Sequence, residues 1–365
     1  MTNYAFTPLA ARLRATVPFV GPEAQERARG ADFRARLGAN ESVFGPSPTA
    51  KHAMAETGQW QYGDPENHAL RHALAAHHGT TAAHIVVGEG IDGLLGYLTR
   101  LFIAPGDSVV TSLGAYPTFN YHVAGYGGTL HTVPYKADHE DPQALFRKAR
   151  EVGAKLVYLA NPDNPMGSWH EGADVAAAMA ELPETCLLIL DEAYVETAPA
   201  GTALALPFED ARVIRMRTFS KAYGLAGARV GYALGAPALI SAFDKVRNHF
   251  GMNRSAQSGA LAALKDQAWL AHVVAEVAKA RDRIAEIARE NGLAPLASAA
   301  NFVAIDCGAD GAFAKAVLDG LIARGIFVRM PFVAPQNRCI RVSCGTPADL
   351  ALFAKALPEA LRAAK

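Results

Sequence analysis

From residue 84 onward, short apolar runs alternate with stretches that carry helical periodicity. Ile85-Val86-Val87 precedes G-E-G-I-D-G-L-L-G-Y-L, and Ser108-Val109-Val110 precedes a loop with Tyr116, Pro117 and Phe119. K-L-V-Y-L-A (155–160) leads into N-P-D-N-P-M-G, and C-L-L-I-L (186–190) leads into D-E-A-Y. A further β-rich run (Val213, Ile214, Met216, Phe219) carries Thr218, Ser220 and Lys221 at its end. Nearly continuous apolar strands separated by helices predict an α/β fold with a mostly parallel sheet, buried on both faces. Helix starts are written in cap residues: Ser47 before Pro48, Asp64 before Pro65, Asp141 before Pro142, and Thr346 before Pro347. The Asp64 helix carries Leu70 and Leu74 four apart and closes at Gly79; residues 173–182 also read as helical.

The texture changes after about residue 250. A long Ala/Glu/Arg-rich helix (268–291) is followed by strand-like N-F-V-A-I-D, G-I-F-V-R-M and C-I-R-V-S-C-G-T and a final helix. The expected division is therefore an arm over 1–37, with a short helix broken by Pro18 and Pro22, a large domain over 38–250, and a smaller α+β domain over 251–365.

Composition narrows this to a globular enzyme: 365 residues, 50% hydrophobic, with 35 basic and 35 acidic side chains. The balance argues against nucleic acid or an anionic membrane as a partner. Cys186, Cys307, Cys339 and Cys344 show neither C-x-x-C spacing nor a disulfide framework, so a reducing cytoplasm is expected. No apolar run approaches the length of a signal core or a membrane span. His68 and His72 fall at i and i+4, but H-A-L-R-H lacks the glutamate of a zinc protease, and no metal is expected.

The candidate chemistry gathers just beyond the strands, where open α/β sheets place their sites. Lys221 lies eight residues before Arg229, beside Thr218 and Ser220. An amine that can attack an aldehyde, next to hydroxyls and a cationic fork suited to a phosphate dianion, describes a pyridoxal phosphate site. The plain alternative is a lysine in a surface turn. Asp191 ends the most apolar run, where a carboxylate needs a cation or donors; it either pairs with a pyridine nitrogen or caps a loop. Tyr194 and Asn164 can then reach the ring's phenolic oxygen, although N-P-D-N-P is also an ordinary rigid turn. Gly90, Ile91 and Asp92 open a helix whose amides suit a phosphate. Gly88 to Gly93 also spells G-x-G-x-x-G, but no acidic residue ends the following strand, so the dinucleotide reading fails. Phe119 either stacks on the cofactor ring or fills the core. Arg341, inside an apolar run, either binds a substrate carboxylate or a protein carboxylate; Arg329 serves a distal substrate group or the surface.

Taken in order, A-N-E-S-V-F-G-P-S-P, Y-G-D-P-E-N-H-A-L-R, G-E-G-I-D-G-L-L, Y-P-T-F, N-P-D-N-P-M-G, D-E-A-Y, R-T-F-S-K-A-Y-G-L-A-G-A-R-V-G and I-R-V-S-C-G-T resemble the class I/II aminotransferases of fold type I. Within them they look most like the histidinol-phosphate aminotransferase branch. The resemblance implies that Lys221 carries the cofactor and shuttles the proton at the substrate Cα. It implies Asp191 at the pyridine nitrogen, Tyr194 and Asn164 at the ring oxygen, and Thr218, Ser220, Arg229 and the amides of Gly90 to Asp92 at the phosphate. Arg341, with Arg329 and Asn40, would bind substrate, and Tyr62 would reach the phosphate of a neighbouring subunit in an obligate homodimer. Met166, Gly63 and Phe119 depart from the family's threonine, proline and tyrosine, and Glu89 adds an acid beside the phosphate cradle. These departures bear on the substrate. The expected activity is transfer of an amino group between an amino acid and a 2-oxo acid or phosphorylated ketone in amino-acid biosynthesis. Its rivals are an aromatic aminotransferase, a pyridoxal phosphate decarboxylase of a phosphorylated amino acid, and a non-catalytic binding module of a regulator.

Overall fold

The computed structural model describes residues 4–15, 20–204 and 206–365. Pro18, read as breaking the arm, lies outside them. Pro22 opens the helix Pro22–Arg29 rather than interrupting one.

Among the described residues twelve strands run in chain order: β1 (Ala35–Arg36), β2 (Ile85–Gly88), β3 (Ser108–Ser112), β4 (Thr129–Val133), β5 (Leu156–Ala160), β6 (Leu187–Asp191), β7 (Val213–Thr218), β8 (Gly231–Leu234), β9 (Ala294–Pro295), β10 (Phe302–Asp306), β11 (Ile326–Phe327) and β12 (Cys339–Ser343). Seven form one sheet in the order β2-β8-β7-β6-β5-β3-β4. All its pairs are parallel except those of β8, which runs against both β2 and β7. The sheet is thus mixed with one reversed strand, and the expected α/β class stands.

Alternation along the central strands sorts side chains to two faces. Leu156, Tyr158, Ala160, Leu187, Ile189, Ile214 and Met216 share a core with the helix Gly90–Phe102 and Phe119. Val157, Leu159, Leu188, Leu190 and Val213 point the other way, against the helix Pro142–Val152 and Val175. Both faces are covered, which is why these runs read as continuously apolar.

The cap residues mostly act as read. Ser47, Asp141 and Thr346 accept from backbone N–H groups of the helices that Pro48, Pro142 and Pro347 open, and Thr346 with Asp349 forms a capping box. The fourth differs. The helix over His68–His78 begins after Asn67, in left-handed backbone at φ 49°, and not at Pro65. Asp64 instead holds a preceding turn, its carboxylate accepting from the N–H groups of Glu66 at 2.9 Å and His68 at 2.8 Å.

A second core gathers β10, β12 and the helices Gln267–Glu290, Gly311–Ala323 and Pro347–Ala364. Ala35 and Leu37 belong to it, because β1 pairs with β11. The helix Arg254–Lys265 belongs elsewhere: its Ala256, Ala260, Ala263 and Leu264 share a core with Ala50, Leu70 and Leu74 of the first body. Rings of His68 and His72 lie 4.2 Å apart, yet among the described residues no group of three or more His, Cys, Asp or Glu is placed to hold a metal. All four cysteines are free and buried.

Candidate active site

The reversal of β8 explains how one site collects residues distant in sequence. Gly231, its first residue, sits opposite both Gly88 at the end of β2 and Thr218 at the end of β7. Arg229, two residues earlier, is thereby delivered to the carboxyl ends of the parallel strands. A Cβ on Gly231 would lie 2.7 Å from the Gly90 carbonyl carbon, and one on Gly90 would lie 2.5 Å from Arg229 Nη2. Glycine at both positions is what lets the helix N-terminus, the arginine and β8 converge.

These ends open into a cavity of about 590 Å³. Its wall includes Ile91, Asp92, Thr218, Ser220 and Arg229 at one end, Asp191, Tyr194 and Lys221 in the middle, and Asn40, Asn164, Arg329 and Arg341 on the side of the second body. Gly90 flanks the wall. Besides Gly90, two expected residues are not on it. Phe119 is fully buried and stacks on Tyr158, with ring centroids 5.1 Å apart and planes at 17°. The aromatic side chain that reaches the cavity from Y-P-T-F is Tyr116, three residues earlier, whose hydroxyl donates to Asp92 at 3.2 Å. Phe119 therefore occupies the core, the second of the two roles open to it. Tyr62 is 81% exposed, lies beside Phe250, and does not face its own chain's cavity.

Asp191 forms part of the floor. It is buried, accepts from the Tyr158 hydroxyl at 2.7 Å and the Ala193 N–H at 2.9 Å, and forms no ion pair among the described residues. Burial pushes its carboxyl up to about 6, against the opposing pull of those two donors. Lys221 Nζ donates to the Asn40 carbonyl at 3.2 Å and stands 5.5 Å from the Tyr194 ring centroid.

A fixed amide network orients the neighbouring hydroxyl. Asn40 Oδ1 accepts from Ser343, which leaves Asn40 Nδ2 to donate to Tyr194 Oη at 3.0 Å. Asn164 Oδ1 accepts from Arg341, and its Nδ2 faces Tyr194 Oη at 3.5 Å. Tyr194 Oη thus receives two amides, and its own proton is left to donate elsewhere. Arg341 also donates to the Gly38 carbonyl at 3.1 Å, while its Nε is buried without a partner among the described residues. Burial and nearby Arg329 bring its guanidinium down to about 10, still cationic at neutral pH. The two arginines are held together by the backbone, each N–H bonding the other's carbonyl.

At the other end Arg229 donates to Ser220 Oγ at 3.2 Å and lies 3.4 Å from Asp92. Glu89 turns aside, accepting from Tyr97 at 3.1 Å, and does not line the cavity. Met166 is buried against Ala304 and Cys339. Sequence reasoning missed Tyr158, Ser343 and Asn301, which donates to the Asn40 carbonyl; these act across elements distant in sequence, whereas Tyr116, also missed, is aimed by the start of the helix Thr118–Gly125.

The donor set suits pyridoxal phosphate: a buried acid lacking a cation for a ring nitrogen, an amine, and a guanidinium, hydroxyl and helix N-terminus for a phosphate.

The family model "Aminotransferase class I and II" matches residues 35–357. A crystal structure of histidinol-phosphate aminotransferase from Sinorhizobium meliloti in complex with pyridoxal-5'-phosphate superposes with a TM-score of 0.96. It is 55% identical, with 99% of this chain and 98% of that one covered. A histidinol-phosphate aminotransferase of an Anaeromyxobacter species is 37% identical over 88% of this chain and 89% of its own. Another, from Mesorhizobium japonicum, is 35% identical over 90% of each.

Proposed function

The chain belongs to the class I and II aminotransferase family and is a pyridoxal-phosphate-dependent transaminase, and on that premise we propose that its amino donor is histidinol phosphate. The observation that carries the reading is the pairing of Arg341 and Arg329 across one cavity wall from Lys221 and Asp191. Two arginines opposite each other on a backbone bridge and lining one cavity suit a doubly charged phosphate better than a single carboxylate.

Pyridoxal phosphate, when bound, supplies an electron sink that acidifies the proton on the donor's Cα. The rest falls to side chains. Lys221 would hold the cofactor aldehyde and would move the proton at Cα. Asp191 would hold a proton on the ring nitrogen, and the Tyr194 hydroxyl, already accepting from Asn40, would donate to the ring oxygen. Thr218, Ser220, Arg229 and the amides of Gly90 to Asp92 take the cofactor phosphate. The helix Gly90–Phe102 adds its N-terminal dipole there.

Incubating the purified enzyme with histidinol phosphate and 2-oxoglutarate should yield glutamate and the corresponding phosphorylated ketone. Turnover of aromatic amino acids in its place would move the substrate to that class. Release of carbon dioxide without loss of 2-oxoglutarate would replace the reaction.

The working unit in this reading is a homodimer. Supporting it, Tyr62 and Trp60 are 81% and 85% exposed and Phe250 lies against Tyr62, so an aromatic patch is free to meet a second copy. Light scattering on the cofactor-loaded enzyme tests this. We place the division between the two bodies near residue 266, since the helix Arg254–Lys265 shares the first core. The cytoplasm remains the proposed location. Among the described residues no helix is long and apolar enough to cross a membrane.

A further inference from the structure

Among the described residues β3 and β5 pair at Val109 with Leu156 and at Val110 with Val157 and no further, although β3 runs on to Ser112 and β5 to Ala160. The chain order reverses at this place: β4 lies outside β3, whereas β6 and β7 follow β5 inward. Open α/β sheets have a crevice where the order reverses. Here a carboxyl fills it. Glu140 Oε1 accepts from the Ala160 N–H at 3.0 Å and Oε2 from the Ser112 hydroxyl at 2.6 Å, so one side chain ties the two strand ends together.

Against it stands Asp163, the centre of the N-P-D-N-P-M-G turn. Its carboxylate accepts from the Tyr135 hydroxyl at 2.8 Å and the Met166 N–H at 2.9 Å. Its own N–H donates to the Ser168 carbonyl at 2.8 Å, and its carbonyl accepts from the Gly167 N–H at 3.1 Å. The turn is thus folded about Asp163. The next residue, Asn164, enters the cavity, where Oδ1 accepts from Arg341 and Nδ2 faces Tyr194 Oη at 3.5 Å.

Glu140 and Asp163 are 2% and 1% exposed, are in hydrogen-bond contact with each other, and form no ion pair among the described residues. An ionised carboxylate only accepts, so two in contact need a proton between them. Burial, with the Asp163 charge adding to it, holds Glu140 well above the ordinary carboxylate range. The other titratable groups around the pair leave it uncompensated. Tyr135 and Tyr158 are raised by burial and neutral. His170 bonds the Glu140 carbonyl at 2.7 Å, not its carboxyl, and His139 lies beyond against the His170 ring. Arg338 is taken by Asp138 and Asp306, and Arg341 by Asn164.

We propose that Glu140 and Asp163 share one proton across the crevice between β3 and β5, and that this proton positions the turn so that Asn164 stands between Tyr194 and Arg341. Both acids are positioning residues: they sit behind the cavity wall and act on it through Asn164. The role rests on the reading of Tyr194 at the cofactor's ring oxygen.

Infrared difference spectra of the cofactor-loaded enzyme test the proton itself. Glu140→Gln sets a non-titrating donor against Asp163 and should remove one protonated-carboxyl C=O band of the parent. Asp163→Asn should remove or shift the same band, because the proton's partner has changed. No band lost in Glu140→Gln, or a band untouched by Asp163→Asn, overturns the sharing. The positioning is read from the pH midpoint of the bound cofactor's absorbance change. Asn164→Ala should move that midpoint by about one pH unit, the worth of one hydrogen bond. Glu140→Ala should move it in the same direction, and Glu140→Gln should leave it at the parent's value. The double variant Glu140→Ala/Asn164→Ala should move it no further than Asn164→Ala alone. A midpoint that ignores Glu140→Ala, or two shifts that add in the double variant, overturns the role. If Glu140→Ala fails to load cofactor, Glu140→Met, which keeps the volume, takes its place with the same expected shift. A midpoint unmoved by Asn164→Ala removes the reading of Tyr194 and this role with it, while the infrared band still judges the shared proton.

Discussion

Asp191 and Glu192 are neighbours at the end of one strand, equally buried, and treated oppositely by the fold. Asp191 points to the cavity face with Ile189 and Met216, and receives one hydroxyl and one N–H. Glu192 points to the other face, where Arg215 and Arg217 on β7 meet it at 3.1 Å and 2.8 Å, with the Leu204 N–H as a further donor. Burial raises both carboxyls, but two guanidiniums hold Glu192 below the usual range while Asp191 stays raised. A buried acid whose charge is answered within the chain is structural. One whose charge is left unanswered, at the floor of a cavity, is waiting for a cation from outside. The same contrast separates Arg341, whose buried Nε has no partner among the described residues, from Arg217, whose Nε donates to Glu192.

The largest expected effect tests the cavity side. Lys221→Ala should lower transamination by about 10⁴-fold, since the proton mover at Cα is lost. Borohydride reduction of the parent followed by peptide mapping should label Lys221. A label on another lysine would overturn the site.

Next comes the saturated acid. Glu192→Gln leaves Arg215 and Arg217 buried around a neutral amide and should destabilise the fold by about 3–5 kcal/mol. Urea denaturation reads this, and the cofactor spectrum of the surviving folded fraction should match the parent. Asp191→Asn should do the reverse: a loss of several hundredfold in kcat, on the order found for removing one preorganised electrostatic partner, with the fold intact. If both variants lost the cofactor equally, the contrast between the two faces would collapse.

Much of this was legible beforehand, for reasons tied to single residues. Ser47, Asp141 and Thr346 announced helices because a cap is a local interaction, complete within four residues. Lys221, Asp191 and Arg229 could be singled out because chemically demanding side chains stood at strand ends. What was hidden was direction. Tyr116 and Phe119 are both aromatic and three apart, and only the start of the helix Thr118–Gly125 decides which faces the cavity. Asn67 took the helix start from Asp64 by adopting left-handed backbone, a choice propensity does not foresee. β8 is the four residues Gly-Tyr-Ala-Leu, whose reversal depends on Gly231 fitting against Gly90. Helix Arg254–Lys265 joins the first core through alanines that would have suited either body.

The smallest effect is the most discriminating, because it isolates the cost of leaving Asp191 unanswered. Its carboxyl is raised from the ordinary 3.8 to about 6 in the folded chain. The folded state therefore binds this proton more tightly than the unfolded one. Its contribution is favourable below about pH 4 and is lost as pH rises through about 6. Glu192, held low, contributes in the opposite sense: its stability is present above the ordinary carboxylate range and is lost as pH falls. Cofactor-free Asp191→Asn should thus match the cofactor-free parent near pH 4 and exceed it at pH 8, by no more than about 3 kcal/mol. Asp163 and Glu196 are also raised, to about 6 and about 7, but they titrate in both proteins and cancel in the difference. Loading pyridoxal phosphate should reverse the order at pH 8, since only the parent gains the ring-nitrogen pair. A cofactor-free parent as stable as the variant at pH 8 would mean that the acid already has its partner inside the chain, and the distinction between the two faces of β6 would be lost.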